Sequence, residues 1–542
     1  MKIWRRMKAH QFRLLRAGLA ATVLLGLTLS ARSANLETIS AAAPSLVSLS
    51  GGGDSVPFAV TPDGRFVVFL SRASNLTAND SNGATLDVFR RDLTARRTAL
   101  VSVNAAGNRS ANGDSSLASV SADGRWVAFE SKADDLVAND QNRSSDVFVR
   151  DLANSATTLV SVDATGTGSG LGASSNPFLT PDGRFVVFES LAVNLASSNP
   201  LNDTNAATDV FVRDLQTGTT TLVSRHRTLP MAANGASSSP VLTPDGRFVA
   251  FFSTAANLVP GLDGAAFPGN VFVRDLRLGT TVWVSTNAAQ FKASLGSPTT
   301  LYSFSPVMSD DGRYVAFKTG FASSNRALVL RYDSQTKATD LVSTNATGNS
   351  LGLSDTTGPM MSADGRFVAY AAGPSVFLWD AQTKAGTLVT VNADGNAAAS
   401  GSSSAPAISA DGRVVAFVSN GTNLVTGGTS GGFQVYVRDV QTGVTKLASI
   451  RPDGTPTSDA DAAIPILSAD GRVVVFQSLD DTLVPGDGNQ AYDVFARDIV
   501  SDTTELVSQR DANLPSLTAT GESWAGANAV SGDGRFVAFA SQ

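Results

Sequence analysis

A single nine-residue phrase governs what this chain can become. Thr61–Phe69 reads TPDGRFVVF, and the phrase returns with small changes at 121, 180, 243, 309, 362, 409, 468 and 531. Its aspartates fall at 63, 123, 182, 245, 311, 364, 411, 470 and 533, giving a period of 47 to 66 residues. A period of that order marks a supersecondary unit that buries its apolar faces only by stacking on copies of itself. A reaction needs its nucleophile once, so residues written into every copy are expected to build scaffold.

The unit that begins at Leu117 can be read strand by strand. LASVS is a short strand, and ADG is a tight turn in which Gly supplies a positive φ and Asp bonds its own backbone. RWVAFES is apolar on both faces, so it is expected to lie between neighbours. A polar loop follows, then a third strand, DVFVRDL, and a fourth, TTLVS, rich in β-branched residues. Four antiparallel strands per unit predict an all-β fold, a β-propeller of four-stranded blades. Units start near 45, 103, 163, 225, 286, 344, 391, 450 and 509, so residues 34–542 are expected to form one propeller. Eight complete units lie between the ends and predict eight blades; nine, with the terminal blade incomplete, is the alternative. Leu46–Ser48 reads as a fourth strand with no blade before it. Closure is therefore expected to pair strands from both termini within one blade.

The [ST]-x-D-G-R turn with its apolar strand, followed by DVFVRDL, resembles the TolB-type, WD-repeat-like propeller of exported bacterial proteins. The resemblance covers about residues 45–542. It implies a propeller that is reused as an adaptor, as an enzyme appendage and occasionally as an enzyme. No counterpart of the helical domain that precedes the propeller in TolB itself is expected from these residues.

Two charged sets recur with the phrase. Arg65, Arg125, Arg184, Arg247, Arg313, Arg366, Arg413, Arg472 and Arg535 follow the turns, and Asp92, Asp151, Asp214, Asp275, Asp333, Asp380, Asp439 and Asp498 end the third strands. Charges drawn into a scaffold are normally paired, so the two sets are expected to pair with each other rather than form a ring for an anionic ligand. A third pattern lies between strands two and three: NDSNGATLD (79–87), NDQNRSSD (139–146) and GDGNQAYD (486–493). These are expected to be loops held by Asx bonds. The alternative is a set of oxygens around calcium, without the bidentate Glu of an EF-hand. No cofactor is otherwise expected.

Residues 1–33 carry seven basic residues and no acid, then the apolar run AGLAATVLLGLTL and small residues at Ala31 and Ser33. This is the pattern of an export signal, and its 13 apolar residues fall short of the roughly 20 needed to span a bilayer. The remainder holds 34 basic against 47 acidic residues. An acidic, exported body argues against nucleic acid as a partner, and no membrane insertion is expected after signal cleavage. A periplasmic or extracellular location is expected. The absence of cysteine excludes disulfides, thiol catalysis and thiolate metal sites.

The mature chain holds one histidine, His226, so no multi-histidine metal site can form. GNSLG (Gly348–Gly352) and GTSGG (Gly428–Gly432) match G-x-S-x-G by letters, but neither leads from a strand into a helix and no histidine follows either. No catalytic residue and no metal site is therefore expected. The strongest departure from the repeat is Arg225, His226 and Arg227, a basic cluster in the connection from a fourth strand to the next innermost strand. With Trp524, placed to face the channel, it makes the candidate binding set. Trp283 and Trp379 are expected in the core. These features predict a non-enzymatic, exported scaffold that binds a protein or cell-envelope component. The alternatives are a glycan- or peptide-directed hydrolase or lyase with carboxylates in the channel, and a calcium-stabilised surface or adhesion module that is a fragment of a longer protein.

Overall fold

The computed structural model describes residues 49–513, except 197–202, 204, 263–268, 292–300, 322–326, 345–357 and 458–460, together with 523–524 and 540–541. The expected signal, Leu46–Ser48 and Arg535 lie outside the described residues. Residues 44–515 form one compact unit; the other comprises 1–43 and 516–542, where Ser523–Trp524 pairs antiparallel with Ala540–Ser541.

The larger unit is a ring of eight sheets, each a four-stranded antiparallel meander in chain order. Blade I runs through Ser55–Val60, Phe66–Ser71, Asp87–Asp92 and Arg97–Leu100. Blades II, III and IV begin at Ser115, Ser174 and Ser237, and blades V to VIII at Leu301, Met360, Ser403 and Ala463. First strands of neighbouring blades touch one another around the axis, and fourth strands form the outer edges. Among the described residues the helical content is one short 3-10 segment, Val284–Phe291.

The phrase explains the sheet. Its second strands are sandwiched between blades; in Phe66–Ser71 every residue is buried. Second and third strands meet through stacked aromatic pairs, such as Phe129 and Phe148 at 5.9 Å between ring centres. The glycine of each DGR turn lets the next blade close in. A Cβ on Gly124 of blade II would stand 2.2 Å from the Phe66 ring of blade I. On Gly183 it would meet Trp126, and on Gly246 it would meet Phe185. The series closes on itself, because a Cβ on Gly64 of blade I would strike Val473 of blade VIII.

Ring closure differs from the expected exchange of terminal strands. Each described blade is one continuous stretch of chain. The seam is made by residues 49–55 lying along blade VIII: Gly51 N–H donates to Ser508 O at 2.9 Å, Arg510 N–H to Leu49 O at 2.9 Å, and Ser55 N–H to Tyr492 O at 2.6 Å. Apolar contacts complete it, with Val67 and Phe69 packed with Val475 and Val494.

Candidate functional site

The meander sorts the loops onto two faces. DGR turns and third-to-fourth turns lie on one face; second-to-third loops and the connectors to the next blade lie on the other. The first face is occupied by structural charge. All eight arginines within the described ring bond the aspartate of their own blade, from Arg125–Asp151 at 2.6 Å to Arg366–Asp380 at 2.9 Å. Six of these guanidinium groups also lie over the aromatic ring that follows them, as Arg65 does over Phe66 at 4.5 Å. The expected pairing holds, and these arginines are committed. An open groove of about 530 Å³ between blades III and IV is walled by such pairs, Arg184 with Asp214 and Arg247 beside them.

The second face gathers the remaining candidates. The connector from blade III to blade IV folds back through a bridge between Arg225 and Ala232. Within it His226 Nδ1 accepts the backbone N–H groups of Thr228 and Leu229 at 3.1 and 3.0 Å. The ring thus caps its own turn, and Nδ1 is not offered to a substrate. Arg225 is half-buried, and its guanidinium donates to Leu229 O at 3.4 Å. Its charge, after the larger effect of burial, lowers the neighbouring Arg274 to about 10. The structure therefore places Arg225, His226 and Arg227 on one turn but does not focus them on one point. The side chain of Trp524 lies outside the described residues. Trp379 is fully buried as expected; Trp283 is partly buried, its Nε1–H donating to Asn270 and Ser285 at 3.0 Å. Gly428–Gly432 sits in a second-to-third loop of blade VII, away from any helix, and 348–352 lie outside the described residues.

Two further carboxylates reach this face from equivalent positions in adjacent blades. Glu130 pairs across the sheet with Ser116, and Glu189 with Ser175. Ser145 Oγ–H donates to Glu130 Oε1 at 2.9 Å. Glu189 Oε1 accepts Asn176 Nδ2–H and the Ser239 backbone N–H, both at 2.8 Å. It thereby joins the innermost strands of blades III and IV. Those strands carry bulges, where Asn176 and Ser239 adopt φ of 55° and 54°. A left-handed conformation in non-glycine residues is strained and is often found at functional sites. The same layer in blade V is taken by Lys318, which is buried.

The acidic loops form a half-ring on this face. Asp80 and Asp87, Asp140 and Asp146, and Asp487 and Asp493 come together as the sequence pattern suggests. Blade III adds Asp203 and Asp209, from NDTNAATD at 202–209, which carries the same signal in a form not singled out above. Burial pushes Asp87, Asp146 and Asp209 up to about 7 and Asp493 to about 8; the nearby second carboxylate adds to the effect. Among the described residues no three carboxylate or histidine groups converge on one point.

No protein-family model and no curated protein matches the chain. Solved structures do. Dipeptidyl peptidase 4 of Porphyromonas gingivalis is similar at 12% identity and TM-score 0.50, over 85% of this chain and 60% of that one. Oligogalacturonate lyase of Vibrio parahaemolyticus is similar at 10% and 0.41, over 85% and 93%. TolB of Acinetobacter baumannii is similar at 14% and 0.31, over 61% and 62%. The chain thus spans about 60% of the length of the peptidase. At such identities the likeness is one of fold. It nevertheless corrects the expectation of a non-enzymatic scaffold: that inference ran from an all-repeat build to an absence of catalysis, and this build also occurs in enzymes. Among the described residues no helix is long and apolar enough to cross a membrane. With its recurring phrase and eight four-stranded blades, the chain is an eight-bladed β-propeller built from repeats, the fold that its resemblance to TolB-type propellers implies.

Proposed function

We propose that this propeller serves a hydrolase or lyase acting on glycans or peptides, with Glu130 and Glu189 as its acid–base pair. The observation that carries the reading is their shared layer: two carboxylates at the same position of blades II and III, each fixed through one oxygen by hydrogen bonds. In such a pair one carboxyl protonates the leaving group while the other activates water or removes a proton. The substrate classes are those named for the peptidase and the lyase above. The basic, apolar leader supports work outside the cytoplasm.

The purified chain should be assayed on chromogenic dipeptides and on oligouronides. Turnover on one class is expected, reduced about 100-fold or more in Glu130→Gln and Glu189→Gln at unchanged melting temperature. Turnover undiminished in both variants, or none on either class from folded protein, overturns the reading.

A further inference from the structure

We propose that blades VIII, I, II and III each hold a calcium ion between the second-to-third loop and the first residue of the third strand. The argument begins with oxygens that lack hydrogen-bond donors. Asp146 and Asp493 are fully buried, yet Oδ2 of each accepts nothing. Asp203 is 8% exposed, and neither of its oxygens has a donor. Oδ1 of Asp80, Asp140 and Asp487 is likewise without one. A buried acceptor left unsatisfied costs on the order of 1–3 kcal/mol, more when charged, so four recurrences call for a ligand.

The other half of the ring is an internal control. At the position of Asp87, blade IV has Asn270, whose Oδ1 takes Ser285 Oγ–H at 2.9 Å and Trp283 Nε1–H at 3.0 Å. Blade VII has Gln434, whose Oε1 takes Ser449 Oγ–H at 2.6 Å and Thr457 Oγ1–H at 3.1 Å. The fold accepts a neutral, fully bonded residue there. Where it has Asp, a second Asp stands six or seven residues earlier, and the pair is short of donors.

The chemistry selects the ion. Each site offers carboxylate oxygens and the amide oxygen of an Asn (Asn82, Asn142, Asn205 or Asn489), joined in blades I and II by the Ser110 and Ser169 hydroxyls, with neither sulfur nor imidazole, which suits a hard cation. Two carboxylates match its charge. The spread of neutral oxygens favours the flexible shell of calcium over the strict octahedron of magnesium. Two carboxylates per site also predict weak binding, about 0.1–1 mM, as in extracellular modules.

The site lies at a joint between blades. Ser110, on the connector to blade II, accepts the N–H groups of Ser81 and Asn82 at 3.0 and 3.1 Å, and Ser169 does the same for Gln141 and Asn142. In blade III the equivalent residue is Ala232, which offers no hydroxyl, consistent with the two donorless oxygens of Asp203.

The test is a calorimetric titration of the chelator-stripped chain with calcium chloride to about 10 mM, with magnesium chloride as the competitor. Uptake approaching four ions per chain is expected, with a rise of a few degrees in melting temperature. Asp146→Asn and Asp209→Asn should each lose one ion. Absence of uptake by the unmodified folded chain overturns the proposal, as does full uptake by both variants. A melting temperature that falls as pH rises from about 4 to about 8, and ignores calcium, would instead identify carboxyl pairs sharing a proton.

Discussion

Gly124→Ala tests how the blades are held together. Gly124 has φ of +69°, a conformation that costs an L-residue roughly 1–2 kcal/mol. The new Cβ would stand 2.2 Å from Cδ2 and 2.4 Å from Cγ of Phe66, far inside the 3.5–4.0 Å of ordinary carbon contact. The ring has little room to retreat, because Arg65 lies over it at 4.5 Å and Arg90 at 4.6 Å. Arg90 itself donates to Gly124 O at 2.6 Å. Overpacking of this kind adds about 1–3 kcal/mol, for a total near 2–5 kcal/mol. Gly107 supplies the control: its φ is +72°, but nothing lies within 4 Å of an added Cβ. Gly107→Ala should therefore show the conformational cost alone, about 1–2 kcal/mol. Urea unfolding of both variants reads the difference as a shift in midpoint at constant slope. Gly124→Ala and Phe66→Ala combined should cost less than the sum of the two, because the smaller side chain removes the clash. Equal loss in Gly124→Ala and Gly107→Ala would refute the claim that glycine is required by the neighbouring blade.

Two further outcomes follow from the packing and the charge pairs. Phe129→Ala removes one partner of a fully buried aromatic stack and should cost about 3–5 kcal/mol by urea unfolding. The Arg125 guanidinium, bonded to Asp151, holds that carboxyl down at about 2. A depressed carboxyl contributes stability above its unfolded pKa of about 4, and the contribution is lost as pH falls towards 2. Arg125→Gln should therefore be less stable than the parent at neutral pH, with the gap closing by pH 2 in unfolding midpoints.

The scaffold was legible because it is repeated. DGR turns, sandwiched second strands and the Arg–Asp pairs are local features written many times, and each copy checks the others. The seam was not legible in that way. It depends on residues 49–55 meeting residues more than 430 positions later, and no local period encodes such a pairing. The fourth acidic loop carries the same letters as the others, and geometry brings Asp203 and Asp209 to the equivalent place. Arg225, His226 and Arg227 stood out as letters, yet the backbone spends the imidazole nitrogen on its own turn. Glu130 and Glu189 are hidden in the sequence for the opposite reason: each sits inside an ordinary copy of the phrase, and only sheet register aligns them.

The seam has a consequence for how the chain could be rewired. Gly51 N–H meets Ser508 O as Ala111 N–H meets Ser102 O and Gly170 N–H meets Ser161 O. The junction between blades VIII and I therefore repeats, bond for bond, the junctions through which the polypeptide runs unbroken. Among the described residues, the joint between blades VIII and I is bonded in the same way as the joints within the chain. A circularly permuted gene that links residues 513 and 49 and opens the connector near Gly166, whose added Cβ would touch nothing, should fold to the same disc.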